Sequence, residues 1–279
     1  MKLTRYGKFG YEKPGLFDEQ NILRDLSAHV ADIDPYLLSN LSKIEGIDPI
    51  QLPTVEGNPR LGSCVAGTGK FICIGLNYSD HAAETGFPVP SEPVIFMKAT
   101  SAICGPNDPA ILPKGSKKMD WEVELGVVIG KPAKYVPEAQ ALDHVAGYCL
   151  INDYSERCFQ DECEGQWTKG KSCDNFGPIG PYLATRDEIA NPQNLSIWLD
   201  VNGERRQRGN TNTMVYGVAH LVSYISHFMS LQAGDIISTG TPPGVGKGMN
   251  PPAYLKVGDV VTLGIEHLGK QRQVVVAEP

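Results

Sequence analysis

Three acidic side chains in two separate segments of the chain could together hold a divalent cation. Glu122 and Glu124 alternate with apolar residues in WEVELGVVIG, so a β-strand there would place both carboxylates on one face. Asp153 ends a second apolar segment, GYCLIND. Clustered carboxylates repel one another unless a cation lies among them, and ligands that are all oxygen favour Mg²⁺, Mn²⁺ or Ca²⁺ over zinc. The sequence predicts a three-carboxylate metal site if the two segments pair, whereas an exposed strand face with incidental acids is the alternative.

A lysine and an imidazole–carboxylate pair could supply the remaining chemistry of such a site. Lys169 and Lys171 occur in QWTKGKS, and one of them beside the metal could stabilise a developing negative charge. His81 and Glu84 are three residues apart in GLNYSDHAAETG, so one helical turn would place them together as a base and its orienting carboxylate. Flanking glycines in this segment favour a mobile lid. Exposed lysines and an exposed polar turn are the alternative interpretations.

The other candidate motifs are weaker. The segment TGTPPGVGKG differs from a phosphate-binding P-loop at Thr241, where glycine is needed, and at Gly248, where serine or threonine is needed. Its backbone amides and the Thr241 hydroxyl could nevertheless hold an anionic group. His144 has no H-x-x-x-H partner, which argues against a zinc hydrolase. His220 and His227 lie on an apolar helical pattern and are predicted to be structural or exposed.

Short apolar segments bounded by glycine, proline, asparagine or aspartate predict a chain built mainly of strands. Seven such segments follow residue 69: FICIGLNY, EPVIFMK, WEVELGVVIG, AGYCLIND, SIWLDVNG, GDIISTG and VGDVVTLGIEH. Residues 1–50 are predicted to form short strands and turns with a helical patch near Asp34–Leu41, and residues 51–69 have the composition of a linker. Helices are predicted for SERCFQDEC, beginning near Asp153–Ser155, and for NTMVYGVAHLVSYISHFMSLQAG, ending at Gly234. The predicted fold class is mixed α+β, mainly β, without the regular strand–helix alternation of a doubly wound sheet.

The bulk composition narrows the class of protein. The 279 residues carry a formal net charge of −7, so nonspecific nucleic-acid binding is not expected. The sequence has no run of about 18 apolar residues and no apolar core of a secretory signal, so we expect neither a membrane span nor secretion. The seven cysteines are scattered without a C-x-x-C pair and are expected to be reduced thiols in a cytoplasmic protein.

Ordered motifs over residues 70–279 resemble the fumarylacetoacetate hydrolase family. They are GLNYSDHAAE, EPVIFMK, DWEVELGVVIGK, GYCLINDYSERCFQ, QWTKGKSCDNFGPIGP, GDIISTGTPPGVG and YLKVGDVV. The leading segment RYGKFGYEKPGLFDEQNILRDLS resembles the short first domain of bacterial members labelled ureidoglycolate lyase or 2,4-diketo-3-deoxy-L-fuconate hydrolase. This resemblance implies a small β-rich N-terminal domain with its linker (residues 1–69), a mixed β-sandwich-roll catalytic domain (residues 70–279) and a homodimer.

The resemblance also implies roles for individual residues. Glu122, Glu124 and Asp153 match the family's metal ligands, which usually bind Mg²⁺ or Mn²⁺, with Ca²⁺ as a substitute in crystals. His81 and Glu84 match the water-activating pair, on a segment that orders over substrate, and Lys171 matches the active-site lysine four residues after Trp167. Gln160 and Thr241 match substrate contacts, and Arg157 is also expected to bind substrate, although the motif defines its role less closely. Many relatives carry aspartate directly after this arginine, where the chain has Cys158, which leaves the contacts of that helix open.

The implied activity is metal-dependent hydrolysis of a C–C bond in a small anionic 2-oxo (diketo) acid. The acid would chelate the ion, His81 and Glu84 would activate the attacking water, and Lys171 would stabilise the oxyanion. Alternatives within the family are a ureidoglycolate lyase, which breaks a C–N bond to give glyoxylate and urea, and a decarboxylase or isomerase of a 2-oxo acid. A catalytically silent relative would be expected to lack an acid ligand or the His81–Glu84 pair, and this chain retains both.

Overall fold

Short strands dominate the structure, which is a computed structural model describing residues 1–80 and 90–278 of the chain. In order along these residues the strands are β1 (Lys2–Tyr6), β2 (Lys13–Phe17), β3 (Leu23–Asp25), β4 (Phe71–Gly75), β5 (Val94–Lys98), β6 (Ile103–Cys104), β7 (Ala110–Leu112), β8 (Met119–Asp120), β9 (Val123–Ile129), β10 (Val145–Asn152), β11 (Ser155–Glu156), β12 (Gly177–Pro178), β13 (Leu183–Thr185), β14 (Ser196–Val201), β15 (Glu204–Asn210), β16 (Ile236–Ser238), β17 (Val260–Ile265) and β18 (Gly269–Ala277). The α-helices are α1 (Pro35–Leu38), α2 (Arg157–Asp161), α3 (Thr168–Lys171) and α4 (Val218–Phe228). Each of the seven predicted apolar segments contains a strand, and the mixed, mainly β fold class is confirmed.

Two open sheets account for most of the strands. The larger has nine strands in the order β3-β2-β1-β13-β10-β9-β16-β4-β5, and the smaller has five in the order β15-β14-β17-β18-β7. Strand β1 pairs with β13, so the first three strands of the chain extend the sheet that contains the predicted acidic strand. The division into residues 1–69 and 70–279 stays a prediction.

Strand β9 lies between β10 and β16 in the middle of the larger sheet, and all of its residues are buried. Leu125, on one face, belongs to an apolar cluster with Leu263 of the smaller sheet. Val128 lies on the opposite face, which also carries Glu124, and packs in a second cluster with Leu37 and other apolar residues from the first 69 positions. The alternative of a solvated acidic face is wrong, because Glu122 and Glu124 are both buried.

Two predicted helices are shorter than their sequence patterns indicated. The segment after Asp153 first forms β11, which pairs with β8, and only then turns into α2. The long apolar pattern forms a helix only as α4, because the chain beyond it pairs with another segment through a bridge between Leu231 and Ala133. The predicted patch near Asp34–Leu41 contains α1, where the Asp34 carboxylate accepts a hydrogen bond from the Leu37 N–H at 2.8 Å.

None of the helices in the described part of the chain combines the length and hydropathy that a bilayer crossing requires.

Candidate metal centre and active site

Antiparallel pairing of β9 with β10 brings the three predicted acidic residues together. Ile151 lies opposite Glu124, and one step further along the ladder the Asp153 N–H donates to the Glu122 carbonyl at 2.9 Å. Directly opposed side chains of antiparallel strands share a face, so the three carboxylates lie on the same side of the sheet. One oxygen from each lies within 4.8 Å of the other two, and all three residues are buried.

Three buried cationic side chains contact two of these carboxylates. Lys171 Nζ bridges Glu122 Oε2 at 2.6 Å and Asp153 Oδ2 at 2.7 Å. Arg157 Nη2 donates to Glu122 Oε1 at 2.6 Å, and Lys98 Nζ donates to Asp153 Oδ1 at 2.5 Å. Burial disfavours the charge of Glu122, but Lys171 and Arg157 outweigh it and lower the pKa of this carboxyl group to about 2. Glu122 is therefore ionised at neutral pH.

Glu124 differs from Glu122 and Asp153, because among the described residues no cationic side chain donates a hydrogen bond to it. Its Oε2 accepts from the Ser238 hydroxyl at 2.6 Å and from the Gly240 N–H at 2.9 Å. Burial, together with the charges of Asp153 and Glu122, raises the pKa of Glu124 well above its ordinary value. Ionisation of all three carboxylates thus needs a further positive charge. A hard divalent cation fits this need, since the donors are all oxygens, the ligands that Mg²⁺ and Mn²⁺ prefer.

A cavity of about 310 Å³ adjoins the cluster. Its lining includes the predicted site residues Glu122, Glu124, Arg157, Gln160, Lys171 and Thr241. Asp153 is fully buried and does not belong to the lining. The volume lies at the small end of the range of about 300–1,000 Å³ that is usual for small-molecule sites, which suits a small organic acid.

Two predicted substrate contacts already have partners within the protein. The Thr241 hydroxyl donates to the Val123 carbonyl at 2.9 Å and accepts from Gln207 Nε2 at 2.8 Å, so its proton is not available to an anion. The hydroxyl oxygen can still accept a hydrogen bond from a ligand. Gln160 Oε1 accepts from Arg157 Nη1 at 3.0 Å, which leaves the Gln160 NH₂ group as the donor for a ligand.

Asp120, at the end of β8, connects the arginine of the site to the glycine-rich turn. Its Oδ2 accepts from Arg157 Nε at 2.9 Å and from the Lys247 N–H at 2.9 Å, while its Oδ1 accepts from the Gly246 N–H at 2.6 Å. The guanidinium of Arg157 is thus held between Asp120 and Glu122, two buried carboxylates. Arg157 therefore acts in this structure to position Glu122 and the turn.

The remaining predicted residues lie outside the described chain or away from the cavity. His81 and Glu84 fall among residues 81–89, so the water-activating pair stays a prediction. His220 Nδ1 contacts Glu138 Oε2 at 3.0 Å, and His227 Nδ1 contacts the Ser223 carbonyl at 2.9 Å. Neither of these two helix histidines lines the cavity, in agreement with the predicted structural or exposed role.

A close approach between α2 and α3 places Lys171 beside the carboxylates. A Cβ added at Gly170 would lie 2.5 Å from the Glu156 carbonyl oxygen and 2.6 Å from the Gln160 nitrogen, both backbone atoms that cannot easily move. We expect Gly170→Ala to lower the free energy of unfolding by about 1–3 kcal/mol and to reduce turnover, because α3 must shift and carries Lys171 with it. Urea denaturation and steady-state assays measure the two effects. Gly46→Ala is the control, since no atom of residues 1–80 or 90–278 lies within 4 Å of an added Cβ there. An equal effect of both changes would contradict the packing argument.

Sequence reasoning missed three residues that support the cluster. Asp120 continues the alternation of Glu122 and Glu124 in DWEVE, so the pattern could have identified it. Ser238 lies in the predicted segment GDIISTG but only its pairing beside β9 brings it to Glu124. Lys98 ends the apolar segment EPVIFMK, and a lysine after a strand is too common to be singled out without the structure.

The chain matches the family model described as "Fumarylacetoacetate (FAA) hydrolase C-terminal" over residues 70–276. Fumarylacetoacetate hydrolase from psychrophilic Exiguobacterium antarcticum has a similar structure, with a TM-score of 0.90, 35% identity and 100% of both chains covered. A 2-hydroxyhepta-2,4-diene-1,7-dioate isomerase from Mycobacterium marinum gives a TM-score of 0.75 and 31% identity, covering 100% of this chain and 99% of that one.

Maleylpyruvate hydrolase from Sphingobium sp. SYK-6, solved in complex with manganese(II) and pyruvate, is also similar. Its TM-score is 0.83, with 26% identity and 100% of both chains covered. These likenesses extend over the whole chain and confirm the predicted fold. The family-model match and the structure at 35% identity show that this chain belongs to the fumarylacetoacetate hydrolase family.

Proposed function

We propose that this protein is a divalent-metal-dependent hydrolase that cleaves a C–C bond in a small 2-oxo (diketo) acid. The observation that carries the proposal is the buried cluster of Glu122, Glu124 and Asp153, in which Glu124 has no cationic hydrogen-bond partner among the described residues. These three carboxylates would hold the ion beside the cavity that Glu122 and Glu124 line. Mg²⁺ and Mn²⁺ are the candidates, since both accept oxygen ligands.

When bound, such an ion acts as a Lewis acid toward a chelating 2-oxo acid and stabilises the negative charge of the departing enolate. The residues of the chain supply position, charge and water. Burial opposes the charge on Lys171, but Asp153 and Glu122 outweigh it and raise the pKa of the ammonium group above its ordinary value. Lys171 therefore stays protonated at the cavity wall, where it stabilises a developing oxyanion. The Gln160 NH₂ group orients the substrate by donating to an oxygen, and we assign water activation to His81 and Glu84.

The substrate class is supported by a relative. The maleylpyruvate hydrolase of Sphingobium sp. SYK-6 was solved with manganese(II) and pyruvate together. Pyruvate is a 2-oxo acid. Hydrolysis of the bond between the acyl carbonyl carbon and the neighbouring methylene carbon of an acylpyruvate releases it together with a carboxylic acid. An acylpyruvate is therefore our first candidate substrate for this chain.

Isomerisation of a 2-oxo or 2-hydroxydienoic acid is the second candidate, favoured by the likeness to the isomerase of Mycobacterium marinum. Both reactions use an enolisable acid at one site, but isomerisation moves a proton and consumes no water. Hydrolysis requires a residue pair that activates water, the role that we assign to His81 and Glu84. Isomerisation does not require this role.

A substrate panel tests the proposal. We expect protein freed of metal with EDTA and then supplied with Mn²⁺ or Mg²⁺ to release pyruvate from acylpyruvates, measured by coupled oxidation of NADH with lactate dehydrogenase. The metal-free sample is expected to release none. Loss of the diketone absorbance without pyruvate would indicate the isomerase, and urea released from ureidoglycolate or CO₂ from oxaloacetate would indicate the lyase or decarboxylase. Turnover that is unaffected by removal of the metal would reject the proposal.

A further inference from the structure

The basic side chains that line the cavity differ in what they contact. Arg157 and Lys171 donate to the carboxylates of the cluster and are buried. Lys247 is the third basic residue in the described lining, and its Nζ donates to Asp161 Oδ2 at 2.7 Å. Residues 81–89 contain no lysine or arginine that could add another such cation. Lys247 is thus the lining cation whose charge is not committed to the proposed metal ligands.

The exposure of the Lys247–Asp161 pair allows the lysine to change partner. The Lys247 side chain is 41% exposed and that of Asp161 is 33% exposed, whereas Glu122, which also belongs to the lining, is 9% exposed. Lys247 therefore lies at the rim of the cavity and Glu122 at its floor. Exposed ion pairs contribute little to stability, so separating Lys247 from Asp161 costs little.

The backbone beneath Lys247 is held firmly even though its side chain is exposed. The N–H groups of Gly246 and Lys247 both donate to Asp120, which also binds Arg157. A Cβ added at Gly246 would lie 1.9 Å from the Ala253 carbonyl oxygen, so the turn is also tightly packed. The backbone of Lys247, from which the side chain extends, is therefore fixed relative to the carboxylate cluster.

The rest of the lining suits a hydrocarbon chain between two charged ends. Apolar side chains contribute to the wall, among them Ile74, Phe96, Trp167 and Val245. A ligand whose 2-oxo acid group lies at the floor would extend along such a wall toward the rim. The group that reaches Lys247 is then favoured if it is negatively charged.

We infer that Lys247 determines substrate specificity by binding a second, terminal carboxylate, so that the substrate is a 2-oxo dicarboxylic acid. This inference rests on the proposed function, because it takes the 2-oxo acid end to lie at the carboxylate cluster. Lys247 binds and does not take part in the bond-breaking step. It leaves Asp161 when the dicarboxylate enters and returns to it when the product departs.

Binding of two matched, uncleaved acids tests the inference. 2-Oxoadipate and 2-oxohexanoate have the same number of carbons and differ only in a terminal carboxylate against a methyl group. In the presence of Mn²⁺, calorimetry is expected to show that Lys247→Met weakens binding of 2-oxoadipate about 10- to 100-fold and changes binding of 2-oxohexanoate less than twofold. Lys247→Arg is expected to retain most of the preference for the dicarboxylate.

Lys169→Met is the matched control. Lys169 is exposed, carries the same charge, lies two residues from Lys171 and does not line the cavity. If the Lys247→Met protein binds both acids as the wild type does, or binds both more weakly by the same factor, the inference is overturned while the proposed function stands. If the wild type binds neither acid with Mn²⁺, the 2-oxo acid site itself is rejected, and the inference falls with it.

Discussion

A Glu124→Gln variant is expected to stay folded and to lose both divalent-metal binding and turnover. Glutamine keeps the shape of glutamate, and its amide oxygen can still accept from Ser238 and Gly240, the two neutral donors that hold Glu124. What it lacks is the negative charge that a bound ion requires. Changing groups that merely support metal ligands usually costs 10- to 100-fold in affinity, so we expect removal of a ligand to weaken Mn²⁺ binding by about 100-fold or more.

Calorimetric titration with Mn²⁺ measures the loss of metal binding, and circular dichroism measures whether the variant stays folded. Glu45→Gln is the matched control, because it removes the same charge from an exposed position. Unchanged affinity for Mn²⁺ in the Glu124→Gln protein would remove Glu124 from the proposed ligands. A global loss of structure would show that the neutral donors cannot hold the glutamine.

The same variant is expected to change how the stability of the metal-free protein depends on pH. Burial and the charges of Asp153 and Glu122 raise the pKa of Glu124 well above its ordinary value of 4.5, which the unfolded chain retains. The folded protein therefore keeps a proton that the unfolded chain releases, and stability falls as the pH rises from about 4.5 toward the folded pKa. Urea denaturation in EDTA at several pH values should give a smaller fall for Glu124→Gln. Identical pH profiles would contradict the raised pKa.

Glu122→Gln is a less informative test of the metal, and the reason lies in its partners. Glu122 accepts charge-assisted hydrogen bonds from Lys171 and Arg157, both of them buried. Its neutralisation would leave two buried cations with one partner fewer, so loss of metal and damage to the fold would occur together. The sequence treats Glu122 and Glu124 as equivalent, and only their partners in the structure distinguish them.

The sequence patterns predicted those parts of the fold that depend on residues close together in the chain. Alternation in WEVELGVVIG predicted a strand with Glu122 and Glu124 on one face. That strand is present as β9, which contains Glu124 and begins one residue after Glu122. At Val128 that face packs in an apolar cluster with residues far earlier in the chain, such as Leu37, which no local pattern could place there. The helix expected from Asp153–Ser155 begins later, because β11 pairs with β8 across more than 30 residues of sequence.

Long-range contacts also explain what was missed in the site. Lys98 and Asp153 are 55 positions apart, and their contact arises from the packing of segments that the sequence alone does not bring together. Lys171 could be proposed from the family resemblance, but its bridge between two carboxylates could not. The charge balance of the cluster is therefore known only from the structure. The same holds for the finding that, among the described residues, Glu124 accepts hydrogen bonds from neutral donors alone.

Lys171→Met is expected to destabilise the metal-free protein strongly. Lys171 is 2% exposed, and its Nζ lies 2.6 Å from Glu122 Oε2 and 2.7 Å from Asp153 Oδ2. Removal of one partner from a buried ionic network leaves uncompensated charge and usually costs about 3–5 kcal/mol. We expect a loss of that size in the free energy of unfolding, measured by urea denaturation in EDTA at pH 7. Lys169→Met should have almost no effect, because Lys169 is exposed and its Nζ donates to a single partner among the described residues, the Cys163 carbonyl at 3.0 Å.

Divalent metal should then separate the structural role of Lys171 from its catalytic one. Because an ion among the carboxylates can offset their repulsion, Mn²⁺ is expected to stabilise Lys171→Met more than it stabilises the wild type. Turnover should remain about 100- to 1,000-fold below the wild type even at saturating Mn²⁺, since the ion cannot replace the ammonium group at the developing oxyanion. Recovery of stability together with turnover would mean that Lys171 only neutralises charge. Wild-type stability of Lys171→Met in EDTA would contradict the bridge itself.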